Sequence, residues 1–233
     1  MREIQFDEIV KAIKDMIIIT GTNLPKDAWD AIQKAYDNEV SPVSKEVLRQ
    51  LLENAQIAKN EKKPLCQDTG LAVFFVKLGE DVKVIGGNIK DAINKGTELG
   101  YQEGYLRAST CDAFTRANLK DTVGYNLPAV IHFDIVSGDK IDIEYAAKGG
   151  GSENVSRATV LAPALGKKGI LSFVKQVISD AGPNPCPPLT VGVDIGGTFE
   201  RAAISSKHAL FRTLGSVNED PEMAQFETQI LEE

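Results

Sequence analysis

The hydrophobic pattern of this chain changes period at Pro64, and that switch constrains the fold more than any other feature of the sequence. Before it, apolar residues recur every three to four positions, as one face of a helix requires. The stretch EIQFDEIVKAIKDMIIIT sets Ile4, Ile9, Ile13 and Met16 or Ile17 near one stripe. GTNLP interrupts it. PKDAWDAIQKAYDNE then opens with proline and acidic residues, as helix starts do, and Trp29, Ile32 and Tyr36 share its stripe. SPVSKEVLRQLLENAQIAKNEKK turns Val47, Leu51, Leu52, Ala55 and Ala58 inward. Stripes at helical spacing are core packing, so residues 1–62 are assigned no chemistry.

Beyond Pro64 the period shortens. LAVFFVKLG is β-rich and bounded by turn residues, and NIKDAINKGTELGYQEGYL returns to helix. LPAVIHFDIVSG and KIDIEYAAKGGG alternate in steps of two, and the intervening SGD predicts a hairpin. His132, within that alternation, reads as a satisfied or solvent-facing strand histidine. GKKGILSFVKQVISDAG is an amphipathic helix closed by glycine, LTVGVDIGG reads as a buried strand, and the remainder reads as helix. The fold class is therefore α/β (mixed α+β): a helical N-terminal region, then a mixed β-sheet with flanking helices. With no repeat or low-complexity linker, a single domain over residues 1–233 is expected, helical over residues 1–62 and α/β over residues 63–233. PEMAQFETQILEE ends without a cap or glycine, and the expectation is a chain truncated at its C-terminus.

Composition narrows the function. At 42% hydrophobic and 25% charged residues, the chain has the profile of a soluble globule. A net charge of −7 with interspersed signs argues against a nucleic-acid partner, which would need a basic face. No apolar stretch approaches the roughly 20 residues of a membrane helix, and the start has no signal-peptide layout; the expected location is cytoplasmic. Cys66, Cys111 and Cys186 are an odd number of thiols for a disulfide framework, which leaves buried thiols, reactive thiols or metal ligands.

Three loop motifs border apolar strands, where sites on α/β scaffolds are built. In Cys66-Gln67-Asp68-Thr69-Gly70, a soft thiolate ligand stands beside an amide and a carboxylate able to bind a polar substrate and move a proton. The same five residues also read as a turn, with Asp68 and Gly70 serving the backbone. KGGGSEN, residues 148–154, lets backbone amides approach an anion, or is a flexible connection. In NPCPPLTVGVDIGGT, two prolines stiffen the loop that carries Cys186. Loops carrying Cys66 and Cys186, 120 residues apart, can converge at one sheet edge. A 4Fe–4S cluster held by only three thiolates leaves one iron open as a Lewis acid.

CQDTG, KGGGSEN, NPCPP and IGGT, in that order, resemble the α-subunit of class I (iron–sulfur) fumarate hydratases, motifs shared with the L-tartrate dehydratase α-subunit. LRAST and GYNLPAVIH fit as well, and the resemblance spans essentially the whole chain. It implies Cys66 and Cys186 as two of three cluster ligands, with the third cysteine beyond residue 233. It implies Asp68 as proton donor or acceptor with Gln67 beside it. Arg107 would bind a substrate carboxylate, for which its planar fork is suited, and Gly150 and Gly151 would meet the substrate through their backbone. Cys111 matches no ligand position and is expected to be buried. The implied reaction is reversible hydration of fumarate to L-malate in a homo- or hetero-oligomer with a β-subunit or C-terminal catalytic region. Tartrate dehydration is the alternative, and the chain alone is expected to be inactive. VGVDIGGTFERAAI also resembles the first phosphate loop of actin-like sugar kinases, which implies an ATP-binding module. That loop opens its fold, whereas only 35 residues follow Thr198 here.

Overall fold

The computed structural model describes residues 1–233 and resolves into two compact units, Met1–Gly150 and Gly151–Glu233. In the first, β1 (Arg2–Gln5) leads into α1 (Phe6–Thr22), followed by α2 (Lys26–Asn38) and α3 (Pro42–Glu61). Then come β2 (Leu71–Gly79), β3 (Val82–Ile85), α4 (Ile89–Glu103), β4 (Val130–Val136) and β5 (Ile141–Lys148). The helical reading of residues 1–62 is met except at its start. Residues 2–5 pair in parallel with Val82–Ile85, so backbone partners from β3 override the helical pattern that Ile4 suggested.

The core lies where α1 meets α4. Ile9, Ile13 and Ile17 fall on one face and are buried, the latter two completely. Gly96 and Gly100 of α4 face them: an added Cβ would come within 2.6 Å of the Ile13 Cβ and 2.9 Å of the Ile17 Cβ. Two glycines one turn apart thus let the helix axes approach closely enough for the isoleucines to fill the seam. Ala72, Phe74 and Val76 of β2 complete the cluster with Ile93 and Tyr101. The α2 stripe of Trp29, Ile32 and Tyr36 is only half-buried and lies outside this core cluster, and α2 packs against α3.

The main sheet has the order β4–β2–β5, with β2 parallel to β4 and antiparallel to β5. The hairpin expected at Ser137–Asp139 is therefore not formed. β4 and β5 flank β2 instead of pairing with each other, because the most apolar strand takes a ladder partner on each side. Their connection crosses the end of β2, where Glu80 N–H donates to Val136 O and Asp81 N–H to Gly138 O. His132 is half-buried and stacks on Phe75 with ring centroids 4.8 Å apart.

The second unit follows the short turn α5 (Gly150–Glu153). It contains α6 (Gly166–Ala181), α7 (Phe199–His208) and α8 (Pro221–Glu232), the last capped by Asp220 accepting from Glu222 and Met223 N–H. The strand expected at 189–197 is absent: the segment is irregular and Val191 and Ile195 are half-exposed. An extended run becomes a strand only with a ladder partner, and this unit contains no strand. Helices and a mixed sheet together make the fold mixed α/β, as the periodicities indicate. No helix is long and apolar enough to cross a membrane.

Candidate functional site

The Cys66–Gly70 loop enters β2 and is fastened from several elements of the first unit. Upstream, Leu65 N–H donates to Gly21 O at the end of α1, and Asn54 Nδ2 of α3 donates to Leu65 O, both at 2.9 Å. Downstream, the Gly70 carbonyl accepts the Tyr101 hydroxyl at 2.8 Å and Asn126 Nδ2 at 3.0 Å. Between these anchors Cys66 and Gln67 are exposed, with the thiol 3.6 Å from Gln67 Oε1.

Asp68 is half-buried and spans two motifs. Its Oδ1 accepts Gly70 N–H at 3.1 Å, and its Oδ2 accepts Gly150 N–H at 2.7 Å. These two donors fix the plane of the carboxylate. The Gly150 N–H, which the sequence offered to a bound anion, is spent on Asp68.

Arg107 is drawn to the same loop by its backbone. The Thr69 hydroxyl accepts Arg107 N–H at 2.9 Å and donates to Arg107 O at 3.1 Å, while Asn126 Nδ2 donates to that carbonyl at 3.0 Å. The Arg107 side chain is exposed. Thus Asp68, Gly150 and Arg107, scattered through the first 150 positions, belong to one hydrogen-bonded set of loops. Behind it stand Tyr101, whose hydroxyl donates to Gly70 O, and Tyr145; burial pushes both phenols above their ordinary value.

The second unit holds the other two predicted residues, Gly151 and Cys186. Cys186 is exposed and has a left-handed backbone, φ 58°. Its N–H donates to Pro183 O and the Asn184 N–H to Ala181 O, so its loop is a chain of local turns at the end of α6. A Cβ on Gly151 would collide with the carbonyl oxygen of Asn184. Only glycine at 151 lets the backbone lie this close to the loop that carries Cys186.

Cys111 departs from expectation. It is exposed, bridged to Asn118 in the irregular stretch between α4 and β4, because that stretch runs over the surface where little apolar packing reaches it. Sequence reasoning assigned no role to Thr69, Tyr101, Asn126 or Tyr145. For Asn126 the available signal was its place before Leu-Pro within GYNLP.

A family model for fumarate hydratase (Fumerase) matches residues 10–233. This chain belongs to the fumarate hydratase family. It is 39% identical to a Methanocaldococcus jannaschii protein provisionally named L(+)-tartrate dehydratase subunit alpha, across 97% of this chain and 79% of the relative. It is 30% identical to the L(+)-tartrate dehydratase subunit alpha of Escherichia coli K12 and to that of Shigella sonnei, across 97% of this chain and 74% of each relative. Membership in this family makes the chain a component of a hydro-lyase. All three thiols are free and exposed, and no three or more His, Cys, Asp or Glu side chains are gathered into a group that would hold a metal ion.

Proposed function

We propose that this chain is the α-subunit of an iron–sulfur hydro-lyase that adds water reversibly to fumarate, giving L-malate, together with a β-subunit. One observation carries the reading: within the family's fold, the Asp68 carboxylate is aimed by two backbone N–H groups while Thr69 ties its loop to Arg107.

The donor chemistry fits the cofactor the family implies. Cys66 and Cys186 are exposed on loops with restrained backbones, and thiolate sulfur is the usual ligand of iron in such clusters. Each of these residues would be a thiolate ligand of the 4Fe–4S cluster that the family implies, alongside a further cysteine. Such a cluster supplies Lewis acidity toward a substrate hydroxyl and carboxylate.

The chain's own residues do the rest. The exposed guanidinium of Arg107 forms a fork that suits a substrate carboxylate. Gln67 offers an amide to the same polar substrate. Gly150 and Gly151 bring backbone close to it without side-chain bulk. Hydration places a water hydroxyl on one alkene carbon and a proton on its neighbour. Asp68 would hold or deliver that proton, a role supported by the Gly70 and Gly150 amides that keep its oxygens from swinging away. The chain alone is expected to be inactive.

The names of the relatives favour a second substrate, L-tartrate, also a four-carbon dicarboxylate. The deciding experiment assembles the chain with its β-subunit under anaerobic conditions and assays malate and tartrate in parallel. Turnover of malate supports the first reading, turnover of tartrate alone the second, and turnover of neither sinks both.

A further inference from the structure

Asn126 lies in the irregular segment before β4 and is 1% exposed. Every hydrogen-bonding position of its side chain is occupied. Nδ2 donates to Gly70 O and to Arg107 O, each at 3.0 Å. Oδ1 accepts Ser109 N–H at 2.5 Å and Thr110 N–H at 3.1 Å. A side-chain amide has two N–H donors and two acceptor lone pairs, so this one is saturated. Its backbone has φ 54°, in the left-handed region that asparagine enters more readily than most residues.

These partners set what the residue does. Gly70 follows Asp68 by two positions, and Arg107 is itself a candidate substrate-binding residue. One buried amide therefore staples the loop of the acidic group to the loop of the cationic group. No other side chain could make the same set of bonds. Aspartate would turn an oxygen toward two carbonyl oxygens, and leucine would orphan the Ser109 and Thr110 N–H groups and leave each of the two carbonyls with one donor fewer. Glutamine would add a methylene to an enclosed site.

We propose that Asn126 is a positioning residue that sets the spacing between the Asp68 carboxylate and the Arg107 backbone, and through them the fit of a dicarboxylate; this inference rests on the hydro-lyase reading. The role differs from plain fold stability, because its bonds connect two loops of the candidate site and none reaches the Ile13–Phe74 core.

Two substitutions separate its functions. Asn126→Gly tolerates the left-handed backbone and drops every side-chain bond. Asn126→Asp keeps the acceptor pair toward Ser109 and Thr110 and loses both donors. In the chain assembled with its β-subunit, both should lower kcat/KM about 10- to 100-fold on the acid that the wild type turns over, with KM rising about fivefold as Arg107 slackens. Relative to wild type, the Asp variant should regain activity as pH falls, because a protonated carboxyl can donate to one of the two carbonyls. Amide hydrogen exchange supplies a readout independent of activity: Ser109 and Thr110 should stay protected in wild type and in the Asp variant, and exchange quickly in the Gly variant. If the Gly variant fails to fold, the Asp variant carries the kinetic test. Wild-type KM and kcat in a folded variant would overturn the proposal and leave the hydro-lyase reading standing. A wild-type complex inactive on both malate and tartrate would overturn that reading and this inference with it.

Discussion

The two units present a cysteine loop each, and they hold it by opposite means. In the first, the Cys66 loop is short and irregular, bent at Leu65 and Gln67, and its rigidity is imported. Gly21, Asn54, Tyr101 and Asn126, far apart in sequence, hold its two ends. In the second, the Cys186 loop has prolines at 183, 185, 187 and 188, and its backbone bonds reach no further than Ala181. The packing differs in the same sense. The first unit buries a continuous cluster from Ile9 to Ala129, whereas the second buries Leu171, Val174, Ala181 and Phe226. A loop beside a dense core can be aimed by distant side chains, while a loop beside a thin one must carry its stiffness in its own covalent geometry.

The sharpest way to break this contrast is to remove each thiol. Cys66→Ala and Cys186→Ala should each abolish the visible absorbance of the reconstituted αβ enzyme and its turnover. Full absorbance in either variant would remove that loop from the cofactor's ligand set. Next in size is the packing. Ile13→Ala, in the helix seam, should cost about 4 kcal/mol, and Leu171→Ala about 2 kcal/mol, in urea melts of the chain. Equal costs would show that the two units are packed alike.

A third pair of variants tests adjacent glycines. At position 150 an added methyl meets only Asp68 Oδ2 at 3.8 Å, an ordinary contact, whereas at 151 it strikes the Asn184 carbonyl. Gly151→Ala should lose about 2 kcal/mol and Gly150→Ala clearly less, read by thermal denaturation. The reverse order would mean that the Cys186 loop yields freely.

The smallest effect concerns pH. Burial raises the phenol of Tyr145, and the adjacent Tyr101 adds to the shift, from an ordinary value of 10.0. Unfolded chains then release these protons first, so the contribution is intact below pH 10 and is lost as pH rises beyond it. The slope should reach about 1.4 kcal/mol per pH unit for this group. Tyr145→Phe should flatten the decline of stability between pH 10 and 11; an unchanged slope would remove Tyr145 from the account.

Much of the first unit was legible in the sequence because local periodicity and burial agree there. LAVFFVKLG is β2 residue for residue, and in the second unit GKKGILSFVKQVISDAG is α6 with Gly182 as its C-cap. The misreadings share one cause. The Ser137–Asp139 turn, the start of β1 and the stretch after Pro188 all depend on which strand lies alongside, and alternation within a segment says nothing about its neighbour. The candidate site divides in the same way. Cys66, Asp68, Arg107 and the glycines were visible as residue types in loops, whereas Thr69, Tyr101 and Asn126 look ordinary until the chain is closed.

The sequence by itself determined the helices, the apolar faces and the loops that carry thiols and carboxylate, since these follow from side-chain chemistry and spacing over a few residues. Only the tertiary structure decided that β4 and β5 flank β2, that Gly150 spends its amide on Asp68, and that one buried asparagine ties Gly70 to Arg107. Those choices are made by backbone groups that must find partners when water is excluded, and the partners come from positions tens of residues away.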